Sequence, residues 1–306
     1  MDSNFYKRPH YSFLAVGKTS ESTETVENFK RYIGVGSSFV KAVNPNKAEL
    51  DNLLGFDNQE PQYTRDGEQG KEVSIHFIVK TDPNQCNGIE ITNRLMFTLR
   101  QAPAYNRDQS KVQVIDGYGN HTWMSTEDAK LGKPAITANG NPVKLDTKYR
   151  MACVGECDLV DFFKAYLCIP DAFNWVNGTW VKKENAAEGI FALEHIKDYF
   201  NGDFSELRQA LAMQPNNKVK LLYGVRTTDE GKQRQAIASK GDLILANASG
   251  ARGLERMEKA LVGAKQAGSY TNTEFKVQEL AEYSVQATNL ETAPASPATS
   301  DDFWNS

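Results

Sequence analysis

The sequence predicts an α+β protein, and three observations support that class. Several short segments alternate apolar and polar residues with a period of two, and some contain glycines, which is typical of small twisted sheets. A block at about 156–213 changes to helical spacing. The last stretch, 291–306, is rich in Pro, Ala, Ser and Thr and has too little apolar content to fold. We therefore expect an OB-like antiparallel β-barrel core with a helical insertion and a disordered, acidic and aromatic C-terminal tail.

The predicted core spans 31–290 and follows a loose, polar N-terminal arm at 1–30. Asn46 and Gly55 are residue types that begin and end helices, so a short helix is expected between them. Two glycines in the first strand, Gly34 and Gly36, indicate a bulge or a sharp bend. The alternating pattern predicts strands at 31–43, 73–80, 89–100, 111–115 and 121–124, with His76, Arg94 and Arg100 facing away from the apolar side.

Two tyrosines are expected at exposed positions between strands. Tyr105 lies with Arg107 in a long polar connection, and Tyr118 lies at the next turn. Loops and turns run over protein surfaces, so both rings are candidates for stacking on a ligand. Trp123 follows in a short strand and is expected in the core, because tryptophan is highly buried on average.

Helical spacing begins with one apolar stripe at i, i+3, i+4, i+7 and i+8, formed by Leu159, Phe162, Phe163, Tyr166 and Leu167. This helix is expected to end before Pro170. The same spacing predicts helices at 186–200, from Ser205, and at 254–267, and a final strand is expected at 273–285. Between the first two helices, two readings stay open: the aromatic residues Phe173, Trp175 and Trp180 form either core or a small exposed platform.

The segment from Lys218 to Leu245 predicts a β-hairpin whose three-residue loop ends at Gly231, because a left-handed residue commonly closes such loops. This register puts like charges opposite each other, Arg226 with Arg234 and Lys220 with Lys240. One face is then apolar and the other cationic. A solvated outer face is the alternative to an anion-binding one, and a four-residue loop would remove the pairing.

Composition indicates a globular protein with an uneven charge distribution. Apolar residues make up 40% and charged residues 24%, and no apolar run is long enough for a membrane span. The short apolar piece near the N-terminus does not match a signal peptide, so a cytoplasmic location is expected. Net charge is −4, yet the stretch from Asn216 to Lys240 contains six basic residues and two acids. The stretch from Thr271 onward contains six acids and one lysine. Such asymmetry is typical of a nucleic-acid face with an acidic tail.

The sequence contains no recognisable catalytic or cofactor motif. It has no GK[ST] phosphate loop, no GxSxG and no HExxH, and its four histidines are scattered. The four cysteines have neither the spacing of a zinc site nor the number of a disulfide framework. We therefore expect no enzyme activity, no cofactor and no metal. Dispersed carboxylates, Asp116, Asp146 and Asp158, leave a nucleic-acid enzyme as an alternative.

Binding of single-stranded nucleic acid is the function that uses most of these features, since such proteins combine a cationic groove with exposed aromatic rings. The candidate contacts are Arg94, Arg100, Tyr105, Arg107, Tyr118, Lys220, Arg226, Arg234 and Lys240. The tail tip, Asp301, Asp302, Phe303 and Trp304, is the candidate segment for docking on a basic, apolar pocket of a partner.

Three segments, Asn44–Leu50, Leu222–Lys232 and Thr273–Val285, with the acidic and aromatic tail, resemble the single-stranded DNA-binding proteins of bacteriophages, including those of crAss-like tailed phages. The resemblance implies a protein of phage replication and recombination in the cytoplasm of the infected bacterium, which coats single strands and recruits phage or host replication and recombination proteins through its tail. It departs in having only two acids at the tip and no zinc-binding set. A structural or packaged virion protein that contacts the genome is the alternative.

Overall fold

A computed structural model describes residues 32–277, except 69, 87, 138, 187–192 and 247–250. The predicted α+β class is confirmed. The described residues form β1 Gly34–Val43, α1 Lys47–Leu54, β2 Thr64–Gly67, β3 Gly70–Thr81, β4 Thr92–Pro103, β5 Lys111–Ile115, β6 His121–Ser125, α2 Thr126–Lys130, β7 Arg150–Met151, β8 Cys153–Val154, α3 Glu156–Tyr166, β9 Phe173–Val176, β10 Thr179–Lys182, α4 Leu193–Phe200, α5 Ser205–Ala212, β11 Lys218–Thr227, β12 Gln233–Ile237, β13 Ile244–Ala246, α6 Ala251–Gln266 and β14 Thr273–Phe275.

Strand β11 is central to the main antiparallel sheet and pairs with four other strands. The order of the sheet is β12-β11-β1-β3-β4-β8. Strand β11 pairs with β1 and β14 along one edge and with β12 and β13 along the other. Leu221 is opposite Gly36 of β1 on one edge and Ile244 of β13 on the other, and Gly224 is likewise opposite Phe275 of β14 and Ala236 of β12. Its residues from Val219 to Val225 are buried. A strand paired on both edges and covered on both faces explains this burial.

The inner side of this sheet packs on α3. Phe77 of β3, Phe97 of β4 and Tyr223 of β11 join the α3 residues Phe162 and Tyr166 in the largest core cluster. The ring centroids of Phe77 and Phe162 lie 4.5 Å apart. The predicted stripe of α3 therefore faces the core, and the helix ends at Tyr166, before Pro170, as expected.

A second, smaller core covers the outer side of β11. Leu222 and Leu245 pack there with Met257 and Leu261 of α6. Because side chains alternate along a strand, Leu222 and Tyr223 lie on opposite faces of β11. The two cores therefore sandwich the middle of this strand.

A third cluster joins β5, β6 and β7, with Val112, Val114 and Met124 in its interior. The prediction that Trp123 is a core residue is wrong: its side chain is 48% exposed. It alternates with the buried Met124 on β6, so it lies on the solvent side of this small sheet.

Local signals are confirmed at several ends of elements. Asn46 caps α1 through the backbone N–H of Glu49, and Gly55 ends the helix in the left-handed conformation. Helix α5 begins at Ser205 as expected. The bulge in β1 lies between Val40 and Ala42, not at the two glycines.

The main sheet is not closed into a barrel within the described residues. Strand β12 approaches β4, but no hydrogen-bonded ladder joins these two strands there. The predicted N-terminal arm, most of the predicted strand at 273–285, and the tail with Asp301, Asp302, Phe303 and Trp304 lie outside the described residues. None of the described helices has the length and apolarity to cross a bilayer.

Candidate nucleic-acid interface

The β11–β12 hairpin has the predicted three-residue loop, Asp229–Gly231. The backbone N–H of Thr228 donates to the carbonyl of Lys232 at 2.8 Å, and Gly231 has φ 75°. Only glycine adopts this region without steric cost, so the loop residue type and the register agree. The alternative four-residue loop is thereby excluded.

Arg226 and Arg234 are directly paired across this hairpin, and both side chains are exposed. Neither guanidinium is ion-paired with a carboxylate in the described part of the chain. The loop residue Glu230 is engaged by Lys232 at 2.9 Å, and Glu274 pairs with Val225, so its side chain leaves the strand on the other face. Like charges directly opposite each other destabilise a ladder by some tenths of a kcal/mol, and a bound anion would reverse that effect.

The predicted cationic face does not continue down the hairpin. Lys220 faces Leu245 and Ser37, not Lys240, and only 2% of it is exposed. The second core covers the outer side of β11 at this point, which the alternating pattern of a single strand does not reveal. Lys240 itself is exposed and immediately precedes a turn whose Gly241 N–H donates to Asp158 Oδ1 at 3.0 Å.

Strand β4 carries two further predicted arginines on the same outer side of the sheet. Arg100 is exposed but neutralised, since its Nε lies 2.7 Å from Glu72 Oε1 across the β3–β4 ladder. The other oxygen of Glu72 accepts from Arg65 Nε at 2.7 Å. The two guanidiniums hold the pKa of Glu72 below its ordinary value although burial opposes them.

Arg94 is half-buried, and no carboxylate is ion-paired with it among the described residues. Its Nη2 donates to Asn58 Oδ1 at a long 3.4 Å. Burial lowers the pKa of this guanidinium. Removing a charge from water without a counter-charge is unfavourable, so this position favours an incoming anion more than an exposed arginine does.

The surroundings of Arg94 differ from the prediction. His76, expected to face outward, is buried under Tyr63, whose ring contacts it edge-on at 5.2 Å. Burial, with a smaller effect of Arg94, lowers the pKa of His76 to about 4. Its Nε2 has no hydrogen-bond partner in the described residues. The α1–β2 connection, which carries Tyr63, covers His76, and strand periodicity contains no signal for that.

One exposed apolar side chain lies next to this position, and a second belongs to the segment that contacts Arg94. Met96 is directly opposite His76 in the ladder and is 42% exposed. Phe56 is 60% exposed, and its carbonyl accepts from the Nδ2 of Asn58, the residue that contacts Arg94. We call Phe56, Tyr63, His76, Arg94 and Met96 the Arg94 site. It combines one cation with an exposed apolar surface.

Alternation along the strands puts Arg94, Arg100, Arg226 and Arg234 on one side of the sheet. Leu95, Phe97 and Leu99 of β4 point into the α3 core, as do Tyr223 of β11 and Ile237 of β12. The arginines are an odd number of residues from these core positions, so they lie on the outer side. Because β12 approaches β4, the strands that carry them are neighbours across the open edge.

The other predicted contacts lie in the β4–β5 and β5–β6 connections. Tyr118 is 5% exposed, because Phe173 packs on its ring edge-on at 5.4 Å, so the prediction of an exposed turn tip is wrong. Tyr105 is half-buried against the β5–β6 cluster. Arg107 is exposed at the turn that precedes β5.

The carboxylates considered for catalysis have structural partners. Asp116 is buried and accepts backbone N–H groups from Tyr118, Asn120 and Asp146 at 2.9 Å each. Burial raises the pKa of Asp158 despite its bond to Gly241.

One described group could hold a metal ion. His195, Asp198 and Glu206 have ligand atoms within 4.8 Å of one another, and His195 Nδ1 contacts a carboxylate oxygen of Glu206. That contact alone accounts for the approach of those two side chains, and both acids are exposed.

No family model, curated protein or solved structure matched this chain.

Proposed function

We propose that this protein binds single-stranded DNA on the outer side of its main sheet. The observation that carries the proposal is the exposed Arg226–Arg234 pair, two like charges held directly opposite each other with no carboxylate partner in the described residues. A phosphate between the two guanidiniums would accept from both. The Arg94 site lies on the same side of the sheet and supplies a second cation beside apolar surface.

The strand order supports an OB-like core. Strands β1, β3 and β4 pair in sequence, and β11 returns after a long connection to lie beside β1, which is the 4-1-2-3 order of a Greek key. Strand β12 then approaches β4, as in a partly open five-stranded barrel. In OB-folds the face of the second and third strands and the last hairpin hold oligonucleotides, and here those positions carry Arg94 and the Arg226–Arg234 pair.

Selectivity for single strands follows from the apolar component of the surface. Unstacked bases offer π-faces to exposed rings and methionine, whereas the bases of a duplex are stacked inside it. Phe56 and Met96 are available for such contacts at the Arg94 site. The cations follow the phosphates, and the apolar side chains contact the bases.

The biological setting in this proposal is phage replication and recombination in the cytoplasm of the infected bacterium. It is supported by the resemblance of the three segments named above and by the acidic and aromatic tail. In this role the protein coats single strands, and Asp301, Asp302, Phe303 and Trp304 dock replication or recombination proteins.

Titration with labelled oligo(dT) across a range of salt concentrations tests the proposal. The double variant Arg226→Glu, Arg234→Glu is expected to bind roughly tenfold more weakly or worse, because two charge-assisted contacts become repulsive. The slope of log K against log salt is expected to become shallower by about 0.7 for each lost phosphate contact.

The matched control is Lys130→Glu with Lys133→Glu, which changes net charge by the same amount. Both lysines are exposed and lie in or directly after α2, outside the main sheet, and Lys133 is already ion-paired with Asp128 at 2.7 Å. The control is expected to keep most of the affinity and the wild-type slope. Wild-type protein that binds no oligo(dT), or that prefers duplex DNA, would overturn the proposal.

A further inference from the structure

The β9–β10 hairpin is a separate two-stranded sheet with an aromatic face. Asn177 and Gly178 form its two-residue turn with φ 48° and φ 80°, the conformation that an Asn-Gly turn favours. Trp175 pairs directly with Trp180, and Phe173 pairs with Lys182. Alternation therefore puts these four side chains on one face.

This face is anchored at one end and exposed at the other. Phe173 is buried against Tyr118, which fixes the base of the hairpin. The rings of Trp175 and Trp180 meet edge to face with centroids 5.0 Å apart, and Trp175 remains 50% exposed. A large ring held by its neighbour but half in solvent loses little conformational freedom when a second ring stacks on it.

Lysines surround the aromatic face. Lys144 Nζ lies 5.5 Å from the centre of the Trp180 ring, and Lys182 Nζ lies 5.7 Å from that of Tyr118. Lys164 donates to Asn120 Oδ1 at 3.2 Å, in the turn that carries Tyr118. Burial lowers the pKa of Lys164.

One carboxylate is ion-paired with a lysine of this group. Asp171 pairs with Lys144 at 2.5 Å and is itself 68% exposed. The Lys144 side chain is only 19% exposed, so Asp171 is the partner that a competing anion from solvent would displace. Exposed aromatic rings among lysines suit a ligand that offers both π-faces and negative charge.

We infer that Trp175 stacks a base of single-stranded nucleic acid while Lys144 and Lys182 hold the adjoining phosphates. This inference rests on the proposed function and extends it to a second contact region, outside the main sheet. The charge complementarity selects nucleic acid over an apolar protein partner, because protein interfaces are depleted of lysine at their cores.

The test is the affinity of full-length Trp175→Ala for oligo(dT) of about 30 nucleotides, a length that exceeds the site of a single OB-fold. A stacked base is worth about 1–3 kcal/mol, so affinity is expected to fall about five- to a hundredfold. Trp175→Phe is expected to retain most of the affinity, since it keeps a ring. Quenching of tryptophan fluorescence by saturating oligo(dT) is expected to fall by more than half in Trp175→Ala.

The matched control is Trp123→Ala. Trp123 is 48% exposed, and no lysine or arginine stacks on its ring in the described part of the protein. It is expected to bind as wild type does.

The outcomes separate this inference from the proposed function. If wild type binds oligo(dT) and the Arg226, Arg234 variant does not, but Trp175→Ala binds and is quenched like wild type, the inference fails and the proposed function stands. If wild type itself does not bind, the proposed function fails. A Trp175→Ala variant that keeps its DNA affinity but loses self-association on sedimentation would instead make the hairpin a protein interface and overturn the inference.

Discussion

The β11–β12 hairpin and the Arg94 site have the same kind of side chain in opposite surroundings. Arg226 and Arg234 extend into solvent beyond the end of both cores, whereas Arg94 lies half-buried beside Tyr63 and His76. Neither region supplies a carboxylate partner within the described residues. Water compensates the exposed pair, but it compensates Arg94 only in part.

The difference teaches how each region would contribute to binding. An exposed cation gives long-range attraction that salt screens and that costs the free protein little. A half-buried cation lowers the stability of the free protein, and it contributes more binding free energy than an exposed cation does when an anion reaches it. We therefore expect the hairpin to govern association and salt dependence, and the Arg94 site to govern affinity per contact.

The largest expected effect is that of Arg94→Met. Affinity for oligo(dT) is expected to fall about tenfold to hundredfold, since a hydrogen bond to a charged group is worth about 1.5–3 kcal/mol. The free energy of unfolding, measured with urea, is expected to stay the same or rise, because a poorly compensated charge has been removed.

Arg100→Met is the control on the same strand. Arg100 is exposed and already paired with Glu72, so affinity is expected to change less than threefold, within the roughly 0–1 kcal/mol of an exposed ion pair. A clear loss of stability in Arg94→Met without loss of affinity would show that Arg94 is structural and would remove the contrast between the two regions.

The next largest expected effect is a loss of stability at low pH, caused by His76 of the Arg94 site. Burial lowers the pKa of His76 to about 4, against about 6.5 in the unfolded chain. Between these values the unfolded chain binds a proton that the folded protein does not, so stability falls as the pH drops through this window. From pH 6.5 to pH 5 the expected loss is about 1.5 kcal/mol in urea unfolding.

His76→Phe is expected to flatten this dependence. His121 does not contribute to it: burial opposes its charge, but Asp161 at 2.9 Å, with Cys157, raises its pKa to about 10. Its stabilisation is complete below pH 6.5 and is lost only as the pH rises toward 10. An equal slope in His76→Phe and wild type would contradict the assignment.

The smallest expected effect is on the hairpin loop. Gly231→Ala is expected to lower the unfolding free energy by about 1 kcal/mol, since φ 75° strains an alanine although nothing lies within 4 Å of the added methyl group. Affinity is expected to change little, because the strand register that holds Arg226 and Arg234 persists.

Gly263→Ala, in α6 with equally open space, is expected to stabilise the protein by up to about 1 kcal/mol.

Features set by neighbours in sequence could be predicted. Asn46 and Gly55 bound α1 because capping depends on residues a few positions away, and Gly231 fixed the pairing of Arg226 with Arg234 because hairpin register depends on the loop. Asn177-Gly178 carries an equally local hairpin signal, which the prediction of helices around it overlooked.

Features set by distant segments could not be predicted. Tyr118 is buried because a hairpin more than fifty residues later covers its turn, and Lys220 is buried because the α6 layer covers β11. His76 is buried under the connection that carries Tyr63. In each case the local pattern predicts the strand or turn, but it contains no information about the distant segment that packs on it.

The pairing of β1 with β11 has a consequence for synthesis on the ribosome. Gly34–Phe39 form one edge of the β1–β3–β4 meander, and their partners Lys218–Tyr223 emerge roughly 175 residues after β1, which takes about 10–35 s at bacterial or slower elongation rates. During that time the nascent chain exposes an apolar strand edge that invites pairing with other chains. The edge of β1 that pairs with β11 therefore stays open to strand pairing with other chains until β11 is made.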